Sequence, residues 1–105
     1  MDYRELLRNY EPLDEEFSDA VADAFMQAHY TLLMKHRDYG PKNISNAPGG
    51  AINGLLVRMH DKLARAEHLT HNNGAPNYES LEDTFMDLAN YSIIAMLVLR
   101  EKWPK

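Results

Sequence analysis

Phe17, Val21, Phe25, Ala28 and Leu32 recur every three or four residues, the spacing of one helix face. Asp14 stands ahead of the run as an N-cap, and Glu15 and Glu16 follow in the first turn, where their charge complements the helix dipole. The pattern predicts a helix that begins after Pro12 and ends near His36, before Gly40 and Pro41, with that apolar face in the core. A second helix is expected from about Ala51 to Leu69, its core stripe formed by Leu55, Leu56, Met59, Leu63 and Ala66. A third runs from Leu81 to about Lys102 and stops before Pro104; Ser80-Leu-Glu-Asp83 ahead of it has the form of a capping box. After Leu88 this helix is apolar almost all round, which suits the centre of a bundle or an interface between subunits. A short helix near Tyr3–Arg8 completes the helical set.

Two turn-rich stretches separate the long helices. Asp38 to Gly50 reads DYGPKNISNAPGG, with three glycines and two prolines, and is expected to be a connector or a shaped binding loop. THNNGAPNYE forms the second. No sustained alternation of apolar and polar residues suggests a strand. The expected fold is all-α, a single domain over 1–105 built as a small bundle of three to four helices and completed by oligomerisation.

Composition narrows the chemistry. The chain has no cysteine, which removes disulfides, thiolate metal sites and cysteine nucleophiles. Leu88 to Leu99 is shorter than the roughly 20 residues a bilayer span requires, and the acidic N-terminus has no signal-peptide core. A cytoplasmic location follows as the expectation. The net charge of −5 is unevenly spread: residues 1–23 carry −6, whereas residues 35–68 carry +3. A locally basic middle in an acidic chain suits a small anionic ligand, and argues against general nucleic-acid or membrane binding.

Candidate site residues concentrate in that middle. Lys35, Arg37, Tyr39, Lys42 and Asn43 gather cations, an aromatic ring and an amide within nine residues. Gly49-Gly50 leaves backbone N–H groups open at the start of the next helix, an arrangement that receives anions. Phosphates would sit there while Tyr39 stacks on a base; the alternative is an ordinary loop with Tyr39 packed on the core. On the second helix, Arg58, Asp61, Lys62 and Arg65 share one face beside the core stripe. On the third, Asp83, Asp87 and Asn90 stand at i, i+4 and i+7 within the most apolar part of the chain. A carboxylate there must be paired or bound to metal. Asp87 therefore meets Arg58, Lys62 or Arg65, or else joins Asp61 and Asp83 around Mg²⁺ with help from Glu79 and Glu82. For Asp83 a capping role is sufficient.

HRDYGPKNIS, GLLVRMHDKLARAEHL and ESLEDTFMDLANYSIIAMLVLREKWP resemble the nucleotide-modification-associated domain family of phages and prophages, over roughly Leu33 to Pro104. The resemblance implies a small helical protein of phage nucleotide metabolism or DNA modification, working inside an infected or lysogenic bacterium. It singles out Asp38, Tyr39, Gly40, Asn43, Arg58, Asp61, Lys62, Arg65, Asp83, Asp87 and Asn90. The pattern is also distantly similar to the MazG-type all-α NTP pyrophosphohydrolases, which hold Mg²⁺ with an EExxE cluster and an ExxD pair. Here the second helix offers only Asp61 among three cations, which would repel Mg²⁺ yet bind phosphate directly.

Three functions remain in view. One is a nucleotide-binding protein, without a cofactor, that captures a small phosphorylated nucleotide, signalling nucleotides included, through Lys35, Arg37, Tyr39, Lys42, Asn43, Arg58, Lys62, Arg65 and Asn90. The second is a Mg²⁺-dependent pyrophosphohydrolase with Asp61, Asp83 and Asp87 at the metal. The third is an interaction module whose polar residues merely pair across the bundle.

Overall fold

A computed structural model describes residues 1–71 and 78–105, with the side chains of 78–80 left aside. The described residues form five helices and no strand: α1 (Tyr3–Arg8), α2 (Glu15–Tyr39), α3 (Lys42–Ser45), α4 (Ala51–His71) and α5 (Tyr78–Leu99). The all-α expectation holds. α1 starts at Asp2, whose carboxylate accepts from the N–H groups of Arg4 and Glu5. Asp14 caps α2 as expected by accepting from the Phe17 N–H at 3.1 Å.

α4 and α5 make the main packing contact of the described chain. Lys62 meets Asp87, and Leu55 clusters with Ile94, so the two helices run antiparallel. α2 crosses α5 through Ala28, Leu32 and Lys35. The core is small: Ile44, Leu55 and Ile94 are buried together, with Leu32, Ile52, Tyr91, Val98 and Trp103 around them.

Several boundaries depart from the sequence reading. α2 continues three residues past His36, because Gly40 rather than the preceding residues breaks it. Gly40 has φ 72° and ψ −176°, a combination open almost only to glycine, and its N–H still donates to the His36 carbonyl at 2.8 Å. The turn-rich stretch is not all loop. Pro41 opens the single helical turn α3, since its fixed φ suits a helix start and its missing N–H is no loss there. Gly54 allows this segment to lie on α4, for a Cβ there would stand 2.6 Å from that of Ala47. α5 begins at Tyr78, so Ser80 lies inside the first turn instead of capping it; its side chain is outside the described residues, as are residues 72–77 of the second turn-rich stretch.

Two predicted core stripes are only half covered. Leu56 and Leu63 are exposed, because α5 covers the narrower face of α4 centred on Leu55 and Ala66, about 80° away around the helix. On α2, Phe17, Val21 and Phe25 are exposed, since this half of the helix extends past the crossing with α5.

α5 ends at Leu99, short of the expected Lys102, and reverses through Glu101, which sits at φ 57° without being glycine. The Glu101 N–H donates to the Val98 carbonyl and the Lys102 N–H to that of Leu97, satisfying the helix end. This turn brings Trp103 back onto α2 and α3. Urea unfolding should rank two substitutions in opposite directions. Gly40→Ala should lose about 1–3 kcal/mol by forcing a side chain into a glycine-only conformation. Glu101→Gly should gain up to about 1 kcal/mol by relieving the left-handed cost of a residue with a Cβ.

Candidate functional site

A cavity of about 300 Å³ opens where α2, α3, α4, α5 and the returning tail converge. Its polar centre is Asp87. One carboxylate oxygen accepts from Lys35 Nζ of α2 at 2.8 Å, and the other is 2.9 Å from Lys62 Nζ of α4. Each lysine is projected from a different helix onto the same acid, so the ion pairs tie α2, α4 and α5 together. Arg58, one turn before Lys62, lines the same cavity and donates from Nη2 to the Asn43 carbonyl at 3.2 Å.

The electrostatics follow from this geometry. Burial would raise the Asp87 carboxyl, but hydrogen bonds from Lys35 and Lys62, with their charges, outweigh it and hold the group below its usual 3.8. On the other side, the hydrogen bond to Asp87 lifts Lys35 above 10.5 despite partial burial. Two lysines hold the one carboxylate and Arg58 lines the same cavity, so these four side chains leave its wall at +2.

Asn90, one turn beyond Asp87, is buried and donates from Nδ2 to the Ala28 carbonyl of α2 at 3.1 Å. The apolar wall comes from Leu32, Ile44, Tyr91, Ile94 and Trp103. The Trp103 indole donates to the Pro41 carbonyl at 3.1 Å, and its ring meets His36 edge-on with centroids 5.0 Å apart. Among the described residues His36 Nδ1 is enclosed without a hydrogen-bond partner, and the ring's described contact is with the indole. Tyr39 stands at the cavity rim, mostly exposed.

Of the residues singled out in the sequence, Lys35, Tyr39, Asn43, Arg58, Lys62, Asp87 and Asn90 line one cavity. Arg37, Lys42 and Arg65 do not; all three are exposed. Arg65 fails by distance, since it lies about 10 Å further along α4 than Arg58. The expected pairing of Asp87 with a cation of α4 is met by Lys62 alone, and its second partner, Lys35, comes from α2.

Asp61 and Asp83 are exposed and outside the cavity, and among the described residues no three His, Asp or Glu side chains come together to hold a metal ion. The set Asp61, Asp83 and Asp87 does not fit Mg²⁺, because both oxygens of half-buried Asp87 are already committed to lysines; the Glu79 side chain lies outside the described residues. His36, Tyr91 and Trp103 also line the cavity, and local sequence pattern does not single them out. Trp103 follows a helix stop, and only the reversal at Glu101 brings it inward.

The fold and cavity define a small all-α protein with a cationic, aromatic-walled pocket. The chain belongs to the family described as nucleotide modification associated domain 1, whose model matches residues 35–99. The match begins at Lys35 and spans every helix that contributes to the cavity apart from the first part of α2. Comparison with curated proteins and with solved structures returns no significant match.

The Lys35–Asp87–Lys62 bridge makes a pH-dependent contribution to stability. A lowered carboxyl stabilises the fold above its ordinary value and loses that effect as pH falls through the folded value. A raised lysine contributes fully below its ordinary value and loses its effect as pH rises through the folded one. Unfolding of wild type and Asp87→Asn should therefore differ by about 1–2 kcal/mol across the interval between 3.8 and 10.5. The difference should shrink below the lower bound and above the upper one. A constant gap down to strong acid would mean that the carboxylate charge is not what the bridge depends on.

Proposed function

We propose that this protein binds a small phosphorylated nucleotide in the cavity and captures it without chemical change. The observation that carries this reading is the state of the two lysines. Asp87 takes one N–H from each ammonium group, which leaves each with two donors beside the Arg58 guanidinium. A phosphate entering there meets cations already fixed in place, so little side-chain entropy remains to be lost. The walls suit the rest of a nucleotide. Tyr91 and Trp103 offer apolar ring surface, Tyr39 at the rim is free to stack on a base, and Asn43 and Asn90 supply amides. The volume lies at the lower end of small-ligand pockets, which favours a mononucleotide-sized ligand or one part of a larger one.

Capture is preferred over hydrolysis because, among the described residues, the cations are gathered to hold phosphate whereas the acids are not gathered to hold Mg²⁺. The family description, nucleotide modification associated domain 1, supports the ligand class and leaves the reaction open. In a phage-infected or lysogenic cell such a protein would withdraw a nucleotide, including a signalling one, from the cytoplasmic pool.

The test is incubation of the purified chain with a nucleotide panel, with and without Mg²⁺ or EDTA, followed by denaturation and analysis of what is released. Intact ligand retained in EDTA is expected. Mg²⁺-dependent release of pyrophosphate from a nucleoside triphosphate would replace capture with hydrolysis, and no retention at all would remove the ligand. Among variants, Arg58→Ala should weaken retention by about 1–3 kcal/mol while keeping the Asp87 bridge, and Lys62→Ala should lower both retention and thermal stability.

A further inference from the structure

The longest helix among the described residues, α2, presents an apolar face that is only half covered. Phe17, Val21, Phe25, Ala28 and Leu32 lie within about 80° of one another around α2. At the lower end Leu32 packs on the core and Asn90 reaches the Ala28 carbonyl. Above the crossing, Phe17 and Phe25 are 67% and 68% exposed. Together with Leu7, Tyr10 and Leu13 they line an apolar groove of about 640 Å³ between α1 and α2. The acids of this segment, Glu15, Glu16, Asp19 and Asp23, all point to the opposite side of the helix. The arm is therefore amphipathic, with one face patterned for burial.

The missing cover is large. A compact monomer of 12.1 kDa exposes about 6,000 Å², and this chain exposes 8641 Å². Its radius of gyration is 16.3 Å, against about 13 Å for a compact domain of this length. The excess of about 2,600 Å² exceeds the roughly 800 Å² per partner of an ordinary complex and matches an obligate homodimer or larger assembly. A second apolar surface of the same chain is also bare: Phe85, Ile93, Met96 and Leu99 along the outer side of α5. Two copies can cover each other's arm and each other's α5, whereas an unrelated partner would have to match both surfaces.

We propose that the arm formed by α1 and the first half of α2 packs on a second copy of this chain, and that the protein is an obligate homo-oligomer of at least two subunits. This inference rests on area and patterning and is independent of what the cavity binds.

Sedimentation velocity of the full chain at micromolar concentration should give a dimer or a larger assembly. Phe17→Glu combined with Phe25→Glu should raise the subunit dissociation constant by about 100-fold or more. Since the separated subunit can itself unfold, a second measurement keeps the folded assembly intact. The chain contains no cysteine, so Val21→Cys and Asp19→Cys can each be labelled singly with iodoacetamide. In the wild-type background Val21→Cys should react at least about 10-fold more slowly than Asp19→Cys, as a residue within an interface core should. A monomeric wild-type chain would overturn the proposal and give the arm to a different partner. So would an assembly unaffected by the double substitution, or equal labelling at the two positions.

Discussion

Asp87 is the point on which three helices agree. A carboxylate in the most apolar stretch of the chain is unfavourable unless its charge is met, and here it is met from two directions. Lys35 and Lys62 are far apart in sequence and on different helices, so the requirement to neutralise one acid fixes how α2 and α4 approach α5. The same requirement shapes the cavity. Long lysine side chains bridge a gap that apolar residues would have closed, and the core beside them stays small, limited to Ile44, Leu55 and Ile94 with their neighbours. Stability and binding potential thus draw on the same groups. Removing Asp87 would free two ammonium groups to move apart as well as weaken the bundle.

The long helices and their caps are readable from local pattern, because Asp14, the flanking turn residues and the three-to-four spacing all act within a few residues of one another. The cavity is readable in part. Its cations and its acid stand out as polar residues where apolar ones are expected, and Lys62 is a natural partner for Asp87 on a facing helix. What local pattern could not supply is which of several cations arrive. Arg58 and Lys62 lie one turn apart on the face that meets α5, and Arg65, at similar angle, is displaced along the axis. Lys35 enters only because α2 crosses α5 at that height. His36 and Trp103 are joined by a chain reversal at Glu101, and nothing in the residues around Glu101 announces a left-handed conformation.

The sequence pattern also misled in an informative way. Phe17, Val21 and Phe25 have core spacing and yet lie exposed. Periodicity reports that a face is patterned for burial, and it carries no information about which molecule supplies the cover. The same distinction explains α5, whose apolar perimeter is wider than its neighbours within the chain can enclose.

Trp103 is the single tryptophan of the chain, and it sits in the cavity wall with its ring edge-on to His36 and its N–H on the Pro41 carbonyl. Its fluorescence therefore arises from one place. The emission wavelength depends on the water around the indole, and the intensity depends on quenching by the adjacent imidazole. A molecule that enters the cavity alters the first by displacing that water, and alters the second if it shifts either ring. The protein carries an optical probe of its own pocket, placed by the C-terminal turn and requiring no label.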